Sequence, residues 1–355
     1  MPFSQARQVV LDAVERRAFP AAVVEVGTPR AVRWCEAFGR LAYEASAPPT
    51  SVDTVFDLAS LTKVVATATV FMDLVERGRL ELSDAIGRWI PEWNGADRRD
   101  VTIEDALLHA TGLPAWLPLF REHRGREAFE QAIASTPLDH PPRARSLYSD
   151  LGFMLLGFIA EKAGLAPLDR LFDGVQARLR FDEVTFRPPV AWRLRTAPTE
   201  YDTWRGRLLV GEVHDENAWA LGGVAGHAGL FGTASGVGGF AQWLLRARTR
   251  LTTGEALPIS PETVERFTTQ RDIPGSSRAL GWDTMLPTSS CGSRMSPLAV
   301  GHTGFTGTSL WVDPVNEVYV VLLTNRVHPS RDNDLISQVR PAFHDAIMGA
   351  ILSGE

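Results

Sequence analysis

Cysteine is scarce in this chain, since Cys35 and Cys291 are the two cysteines among 355 residues. A single possible bridge cannot form the disulfide framework that small secreted proteins use in place of a large core. We therefore expect two free thiols, which are typical of a protein that resides in a reducing compartment.

Long apolar runs are also missing. The longest, from Val64 to Leu74, is too short and too rich in threonine to span a bilayer. No charged segment followed by an apolar run and a small-residue cleavage site begins the chain, so no signal peptide is visible. Apolar residues there recur at helical spacing instead, which predicts an amphipathic first helix. We expect a cytoplasmic protein that does not associate with a membrane.

Excess positive charge is absent as well, because 36 basic residues face 42 acidic ones and the formal net charge is -6. Nucleic-acid binding requires a basic face, so the charge argues against a nucleic-acid partner. The eight histidines form no H-E-x-x-H or similar cluster. We expect a small-molecule substrate, no metal and no organic cofactor, and the oligomeric state stays open.

Strand patterns occur at both ends of the chain, with helical patterns between them. "AAVVEVG" and "AVRWCEAFGRLAY" predict an early hairpin, and "SLWVDPVNEVYVVLLTN" predicts two strands around an Asp-Pro turn. The fold class is therefore α/β with two domains. Residues 1–75 and 235–355 would form a mainly antiparallel sheet domain, flanked by the first and last helices. Residues 76–234 would form an all-helical domain, with a site at the interface.

A lysine in an apolar setting is the first chemical signal. The stretch from Phe56 to Val75, "FDLASLTKVVATATVFMDLV", reads as a buried helix, yet it contains Lys63 three residues after Ser60. That spacing places both side chains on one side of a helical turn. A serine needs a nearby base to act as a nucleophile, and desolvation that lowers the pKa of a lysine would supply one. A capping serine with a lysine that reaches solvent is the structural alternative.

Two further segments add candidate residues. "LYSDLGF" places Tyr148 and Asp150 just before an apolar helix, and a tyrosine beside an ammonium can shuttle a proton. "GHTGFTG" places His302, Thr303 and Gly304 before a predicted strand, where a glycine would let a ligand approach closely. A helix cap and a glycine-rich turn are the corresponding structural alternatives.

In this order the three segments resemble the motifs S-x-x-K, Y-x-N/D and [KH]-T-G of the penicillin-recognising serine hydrolases. That superfamily includes D-Ala-D-Ala carboxypeptidases, class A and C β-lactamases and β-lactamase-like esterases. Ser60 and Tyr148 are 88 residues apart, and Tyr148 and His302 are 154 apart, similar to the class C and carboxypeptidase branch. "TIEDALLHATGLP" and "AGHAGLFGTASGVGGF" are also similar to segments of that branch. The resemblance covers roughly residues 20 to 350.

The resemblance implies a β-lactamase/transpeptidase-like fold and a reaction through an acyl-enzyme. Ser60 would be the acylated nucleophile, Lys63 its base, and Tyr148 a proton relay to the leaving group. The backbone N–H groups of Ser60 and Phe305 would form the oxyanion hole, where donors stabilise the charge that develops in the transition state.

The same resemblance implies that Asp150, His302, Thr303 and Gly304 line the substrate cleft. Two of these depart from the usual motifs, because Asp150 stands where Asn is common and His302 where Lys is common. An ionised aspartate only accepts hydrogen bonds, and a histidine can be neutral at pH 7. Both changes make the cleft less positive. The hypothesis is ester or amide hydrolysis on a less anionic substrate, with poor β-lactam turnover.

Two loops supply weaker candidates. "GEVHDENAWALGG" contains His214, Asp215 and Asn217, which would either contact substrate or hold the domains together. Ser330 and Arg331 follow "LLTNRVHP", where relatives place groups that bind carboxylates, although a surface loop also accounts for them.

Several functions stay open beside an esterase or peptidase. A D-Ala carboxypeptidase, a muropeptide hydrolase and a class C-like β-lactamase share the mechanism and differ in pocket shape. A non-enzymatic binding protein on the same fold is disfavoured by the joint presence of Ser60, Lys63 and Tyr148. An α/β-hydrolase requires a G-x-S-x-G elbow, which is absent from the sequence.

Overall fold

Both ends of the chain contribute to one six-stranded antiparallel sheet in the computed structural model, which describes residues 3–251 and 257–354. The strands of the protein are β1 Ala21–Gly27, β2 Val32–Gly39, β3 Phe56–Asp57, β4 Val184–Phe186, β5 Tyr201–Asp202, β6 Arg207–Leu208, β7 Leu230–Gly232, β8 Asp283–Thr284, β9 Val300–Thr303, β10 Ser309–Asp313 and β11 Val318–Thr324. The main sheet has the order β2-β1-β11-β10-β9-β8. Smaller sheets have the orders β3-β7-β4 and β5-β6.

The helices lie at the two ends and throughout the middle of the chain. They are α1 Ser4–Glu15, α2 Thr69–Glu76, α3 Ile86–Trp89, α4 Ile103–Leu107, α5 Gly125–Ser135, α6 Asp150–Gly164, α7 Leu168–Leu179, α8 Glu216–Ala220, α9 Ala234–Arg248, α10 Pro261–Thr268 and α11 Ile336–Ser353. A π-helical segment, Lys63–Ala68, precedes α2, and 3-10 turns occupy Leu119–Arg121 and Val190–Arg195.

Both faces of the main sheet are buried, which explains why β1 and β11 are apolar at nearly every position. Successive side chains of a strand point to opposite faces. Ala22 and Val24 of β1 therefore pack in a core with α1 and α11, whereas Ala21 and Val23 pack in the core that contains α9. The expected mixed fold, with an antiparallel sheet flanked by the first and last helices, is confirmed.

The middle of the chain is built around α6, in which eleven of the fifteen residues are buried. The large core that includes α6 also contains side chains from α2, α9 and the main sheet. Because this core is continuous, the boundaries at residues 76 and 235 stay a prediction. The expectation that residues 76–234 are all helical is wrong, because β4, β5, β6 and β7 lie within them and β7 pairs with β3 from the earlier part of the chain.

The expectation of one helix from Phe56 onward is wrong at its start. Phe56 and Asp57 pair with Gly232 and Phe231 of β7, so the backbone is extended there. A turn follows and contains Ser60, after which the chain enters the π-helical segment that begins at Lys63. Ser60 thus precedes the helix instead of lying within it. π-helical segments are frequent at functional sites.

No single helix among the described residues is long and apolar enough to cross a membrane, and α6 with α7, which meet at 74°, reach that length and composition only as a bent pair. Cys35 is exposed and Cys291 is buried, and both are free thiols, as expected.

Candidate active site

The turn that contains Ser60 is held by a buried carboxylate. Asp57 accepts a hydrogen bond from the Ala59 N–H at 2.8 Å and a second from the His214 N–H at 2.7 Å. Ala59 has a φ of 47°, which is unusual for a residue with a side chain. Such backbone strain persists only where surrounding contacts hold it. The turn held in this way presents the Ser60 side chain to a cleft.

Lys63 is fully buried, and its ammonium has three hydrogen-bond acceptors. Its Nζ donates to Ser60 Oγ at 2.9 Å, to Asp150 Oδ1 at 2.7 Å and to the His227 carbonyl at 3.2 Å. Burial lowers the pKa of Lys63 and is the largest single influence, but the interactions with Asp150 and Tyr148 together outweigh it, so the pKa lies above its ordinary value. The expectation that desolvation lowers the pKa of Lys63 is therefore wrong, because it omitted the interactions of Lys63 with Asp150 and Tyr148.

Tyr148 packs against both Ser60 and Lys63. The Lys63 Nζ lies 4.7 Å from the centre of the phenol ring, and the His109 ring lies 4.6 Å from it on centroids. Burial raises the pKa of Tyr148, although the charge of Lys63 and hydrogen-bond interactions with Lys63 and Ser60 oppose the rise. The phenol is therefore neutral at pH 7, and the structure brings together Ser60, Lys63 and Tyr148 as the motifs predicted.

The strand β9 and the residues after it form the opposite wall. His302 and Thr303 end β9, beyond the two residues that pair with β8, so this part of the strand is a local edge facing the cleft. A Cβ added at Gly304 would lie 2.1 Å from Thr308 Oγ1 and 2.7 Å from the Leu58 carbonyl. Only glycine therefore permits this close approach of the strand to the turn before Ser60.

His302 is neutral, as expected for a histidine at the motif position where lysine is common. Burial lowers its pKa to about 4, Asp283 opposes that shift, and Lys63 and Arg278 reinforce it. Its Nδ1 lies 2.8 Å from the Thr303 carbonyl, and its buried Nε2 has no partner among the described residues.

Two backbone N–H groups are available to form the predicted oxyanion hole. Ser60 and Phe305 both line the cleft, and neither backbone N–H donates a hydrogen bond within the described parts of the chain. Thr306 Oγ1 donates to the Asp57 carbonyl at 2.7 Å, and Thr308 Oγ1 donates to the Leu58 carbonyl at 3.0 Å. These bonds join the Phe305 segment to the Ser60 turn, so both donors belong to one rigid unit.

The weaker candidates separate into cleft and support residues. His214 lines the cleft and its Nε2 bonds to Glu200 at 2.9 Å. Arg331 also lines the cleft, but its charge is matched by ion pairs with Glu200 and Glu216 at 2.6 and 2.8 Å. Asn217 is fully buried, and its side chain bonds to the backbone of Phe120 and Leu117.

Asn217 therefore supports a loop and does not contact the cleft. For this residue the structural role holds, and the alternative of substrate contact does not. Ser330 bonds to Asp332 in an exposed loop and does not line the cleft either.

Arg278 is a cleft residue that the sequence reasoning missed. Its guanidinium carbon lies 5.0 Å from the centre of the Tyr148 ring, and it pairs with Asp283 at 2.6 Å. Its contact with Tyr148 joins distant parts of the chain, so no local motif marks it. His109 and His227 were also unassigned, although both lie in the quoted segments "TIEDALLHATGLP" and "AGHAGLFGTASGVGGF".

The cleft has a volume of about 660 Å³ and is nearly balanced in charge. Four arginines and four carboxylates line it, namely Arg278, Arg326, Arg331, Arg340, Asp150, Asp215, Glu216 and Asp283. Exposed Trp116 and Phe305 add apolar surface beside Ser60. Within residues 3–251 and 257–354, no three His, Cys, Asp or Glu side chains are grouped so as to hold a metal ion.

Comparison with known proteins identifies the family of the chain. The Beta-lactamase family model matches residues 6–341. A protein from Salmonella gallinarum named "Putative D-alanyl-D-alanine carboxypeptidase" is 32% identical over 313 residues, which are 78% of this chain and 71% of that protein.

Solved structures share the fold at low sequence identity. EstCE1, described as "a hydrolase with promiscuous acyltransferase activity", superposes with a TM-score of 0.76 at 21% identity, covering 97% of this chain and 98% of that one. A penicillin-binding protein homologue from Caulobacter crescentus has a TM-score of 0.77 at 19% identity, covering 98% and 97%. The chain belongs to the beta-lactamase family and is a hydrolase of the β-lactamase and penicillin-binding-protein type.

Proposed function

We propose that Ser60 attacks an ester or amide carbonyl and forms an acyl-enzyme that water then hydrolyses. One observation carries this proposal: Lys63 Nζ lies 2.9 Å from Ser60 Oγ at the base of a cleft. A serine hydroxyl requires such a neighbour to lose its proton as it attacks. Tyr148, which interacts with both side chains, would deliver a proton to the leaving group.

The oxyanion would be stabilised by the backbone N–H groups of Ser60 and Phe305. Donors that are already oriented cost no reorganisation when the charge develops, and losing one typically reduces the rate on the order of 10²–10³-fold. The strain at Ala59 and the bonds from Thr306 and Thr308 support these donors, because they fix the turn and the strand relative to each other.

The nearly balanced charge of the cleft and the neutral His302 favour an uncharged or weakly anionic substrate. Trp116 and Phe305 provide apolar surface for its acyl or alcohol part. The description of EstCE1 as a hydrolase with acyltransferase activity is consistent with an esterase. We therefore propose esters or amides with short apolar acyl groups as substrates, and slow turnover of β-lactams.

A D-Ala carboxypeptidase is the second candidate, and two arginines favour it. Arg326 and Arg340 line the cleft and bond to backbone carbonyls, and neither makes an ion pair within the described residues. A guanidinium with no carboxylate partner is suited to bind the terminal carboxylate of a peptide. The name of the Salmonella relative points to the same substrate class.

The test is a substrate panel with wild type and Ser60→Ala. It contains p-nitrophenyl butyrate, a D-amino-acid amide, a D-Ala-D-Ala peptide and nitrocefin, together with a fluorophosphonate label. We expect labelling of wild type and a loss of at least about 10³-fold in ester hydrolysis for Ser60→Ala, since the nucleophile is removed. Ser46→Ala, an exposed serine, is the matched control and should keep full activity.

Each other outcome has a defined meaning. Faster cleavage of the D-Ala-D-Ala peptide than of the ester would favour the carboxypeptidase. Comparable turnover of nitrocefin and p-nitrophenyl butyrate would contradict the preference for esters. Absence of labelling on Ser60 would favour a non-enzymatic binding protein.

We also propose that the protein acts in the cytoplasm. The free thiols Cys35 and Cys291 support this, because a reducing compartment keeps cysteines unpaired. If the substrate derives from cell-wall peptide, it would then be a muropeptide inside the cell. Fractionation of cells that express the native protein tests this, and recovery from the periplasm or the medium would contradict it.

A further inference from the structure

The hydrogen bonds of Lys63 leave no lone pair directed at Ser60. An ammonium has three N–H donors and no acceptor, and Lys63 has three acceptors, at 2.7, 2.9 and 3.2 Å. The shortest is the carboxylate of Asp150, to which Lys63 also forms its ion pair. In the resting enzyme Lys63 therefore donates to Ser60, and it cannot accept the hydroxyl proton unless it releases one of its own.

None of the other titratable groups described around Ser60 is an unprotonated base in contact with it. Tyr148, His109 and His302 interact electrostatically with Lys63, and Arg278 interacts with both histidines and lies over the Tyr148 ring. Burial raises the pKa of Tyr148, so its phenol keeps its proton. His109 and His302 are neutral because burial lowers their pKa values, but neither bonds to Ser60. Arg278 is a cation.

Asp150 differs from these groups because it is a carboxylate in direct contact with Lys63. It is the first residue of α6, whose N-cap is Ser149, so the helix does not need the Asp150 side chain as its cap. The side chain is 18% exposed and lines the cleft. One carboxylate oxygen bonds to Lys63, and the carboxylate has capacity to take a proton.

We propose that Asp150 is the final acceptor of the Ser60 proton, which reaches it through Lys63. As Ser60 Oγ forms its bond to the substrate carbonyl carbon, the hydroxyl proton moves to Lys63 and Lys63 passes another proton to Asp150. The carbonyl π electrons move to the oxygen, which becomes the oxyanion. Lys63 remains an ammonium and Asp150 becomes a neutral acid.

The reverse transfer accompanies collapse of the tetrahedral intermediate. Asp150 returns its proton to Lys63 as Lys63 gives one up, either directly to the leaving alcohol or amine or to Tyr148, which passes its own phenol proton to the leaving group. Lys63 is then again an ammonium, Tyr148 a neutral phenol and Asp150 a carboxylate. Asp150 acts through Lys63 and is in that sense a positioning residue. The inference rests on the proposed acyl-enzyme mechanism.

The pH dependence of acylation separates this relay from a mechanism in which Lys63 must first lose its proton to solvent. If Asp150 accepts the proton, Lys63 stays protonated in the active form, so acylation does not require an unprotonated Lys63 and stays constant between about pH 9 and about pH 6. If Lys63 must be a free amine, its raised pKa places the acidic limb of wild type at alkaline pH.

The experiment measures the pre-steady-state burst of p-nitrophenol from p-nitrophenyl acetate between about pH 5 and about pH 9, in the range where a carboxylate and an amine are told apart. Asp150→Asn keeps an oxygen that accepts from Lys63 but has no basic carboxylate. We expect a burst at least tenfold slower at about pH 6 and an acidic limb moved to higher pH, since general-base catalysis contributes typically 10²–10⁴-fold. Asp150→Glu should restore part of the rate.

Asp73→Asn is the matched control, because Asp73 is a buried aspartate paired with Arg178 at 2.6 Å on α2 and does not line the cleft. An acidic limb that moves to lower pH in Asp150→Asn would overturn the relay. If that variant does not fold, the pH dependence of wild-type acylation tests the relay by itself. A wild-type rate that rises only at alkaline pH would also overturn the relay. If wild type shows no burst because deacylation is fast, kcat/KM over the same pH range reports acylation in its place. Absence of fluorophosphonate labelling of Ser60 in wild type would instead contradict the acyl-enzyme.

Discussion

Lys63 and Asp150 show how two side chains make each other's burial possible. A buried ammonium is costly unless it is paired and hydrogen-bonded, and Lys63 meets both conditions with a single carboxylate and two neutral acceptors. Removing one partner of such a pair leaves an uncompensated charge and costs typically 3–5 kcal/mol. The pair therefore contributes both to the candidate catalytic site and to the stability of the fold.

Gly304 is the residue at which the smallest addition should have a large effect. Gly304→Ala places a methyl group 2.1 Å from Thr308 Oγ1 and 2.7 Å from the Leu58 carbonyl. The strand must then move away from the Ser60 turn and carry the Phe305 N–H with it. We expect ester hydrolysis to fall at least about tenfold, because a displaced oxyanion donor is partly lost. Steady-state kinetics with p-nitrophenyl butyrate measures the change.

Gly174→Ala is the control for that variant. The nearest atom to a Cβ at Gly174 in α7 is Arg178 Nη1 at 3.8 Å, which is an ordinary contact. This change should leave activity intact and raise the free energy of unfolding by up to about 1 kcal/mol, since alanine favours a helix. Full activity in Gly304→Ala would show that the close approach is not required.

At the scale of the element, the site depends on a short extended segment that is tied to three others. β3 pairs with β7, its Asp57 carboxylate accepts two backbone N–H groups, and Thr306 and Thr308 bond to the carbonyls of residues 57 and 58. The helix that follows is thereby fixed relative to β9. A nucleophile presented by such a turn keeps its geometry without contacts from substrate.

Asp57→Asn tests this arrangement. The two carboxylate oxygens of Asp57 each accept one N–H, from Ala59 and from His214, and an amide can accept only one of them. An unsatisfied buried donor costs about 1–3 kcal/mol. We expect a lower melting temperature and slower acylation, measured by thermal denaturation and by the burst assay.

Asp53→Asn, at an exposed position whose carboxylate accepts from Ser51, is the comparison for Asp57→Asn. Loss of stability with an unchanged acylation rate would mean that Asp57 supports the fold without positioning Ser60.

At the scale of the whole molecule, buried neutral histidines make stability depend on pH. Burial lowers the pKa of His302 to about 4 and that of His344, in α11, to about 3. An unfolded histidine has a pKa of about 6.5, so between these values the unfolded chain binds protons that the folded chain does not. The free energy of unfolding should therefore fall as the pH drops below about 6.5.

Urea denaturation at about pH 7 and about pH 5 measures this decline, to which each buried histidine contributes up to about 1.4 kcal/mol per pH unit. His344 lies on the α1 and α11 face of the sheet. His344→Gln should reduce the difference in the free energy of unfolding between the two pH values. His123→Gln, at a partly exposed position, is the control and should leave the difference unchanged. A wild-type stability that is constant over this range would contradict the prediction.

The sequence by itself determined the family, the strands at both ends and the identities of Ser60, Lys63 and Tyr148. These follow from local patterns, because a motif places its residue types within one turn and alternating apolar residues predict a strand without knowledge of its partner. The start of the helix at Phe56 was misread for the same reason, since the pairing of β3 with β7 joins segments far apart in the chain.

Only the tertiary structure decided what those residues can do. Lys63 and Asp150 are 87 residues apart, and their contact, together with that of Tyr148, reverses the expected shift of the lysine pKa. Arg278 meets Tyr148 from a distant part of the chain, and Asn217 is placed in a loop contact instead of the cleft. Protonation depends on the charges within a few ångströms of a group, and those charges come from segments that meet only when the chain folds.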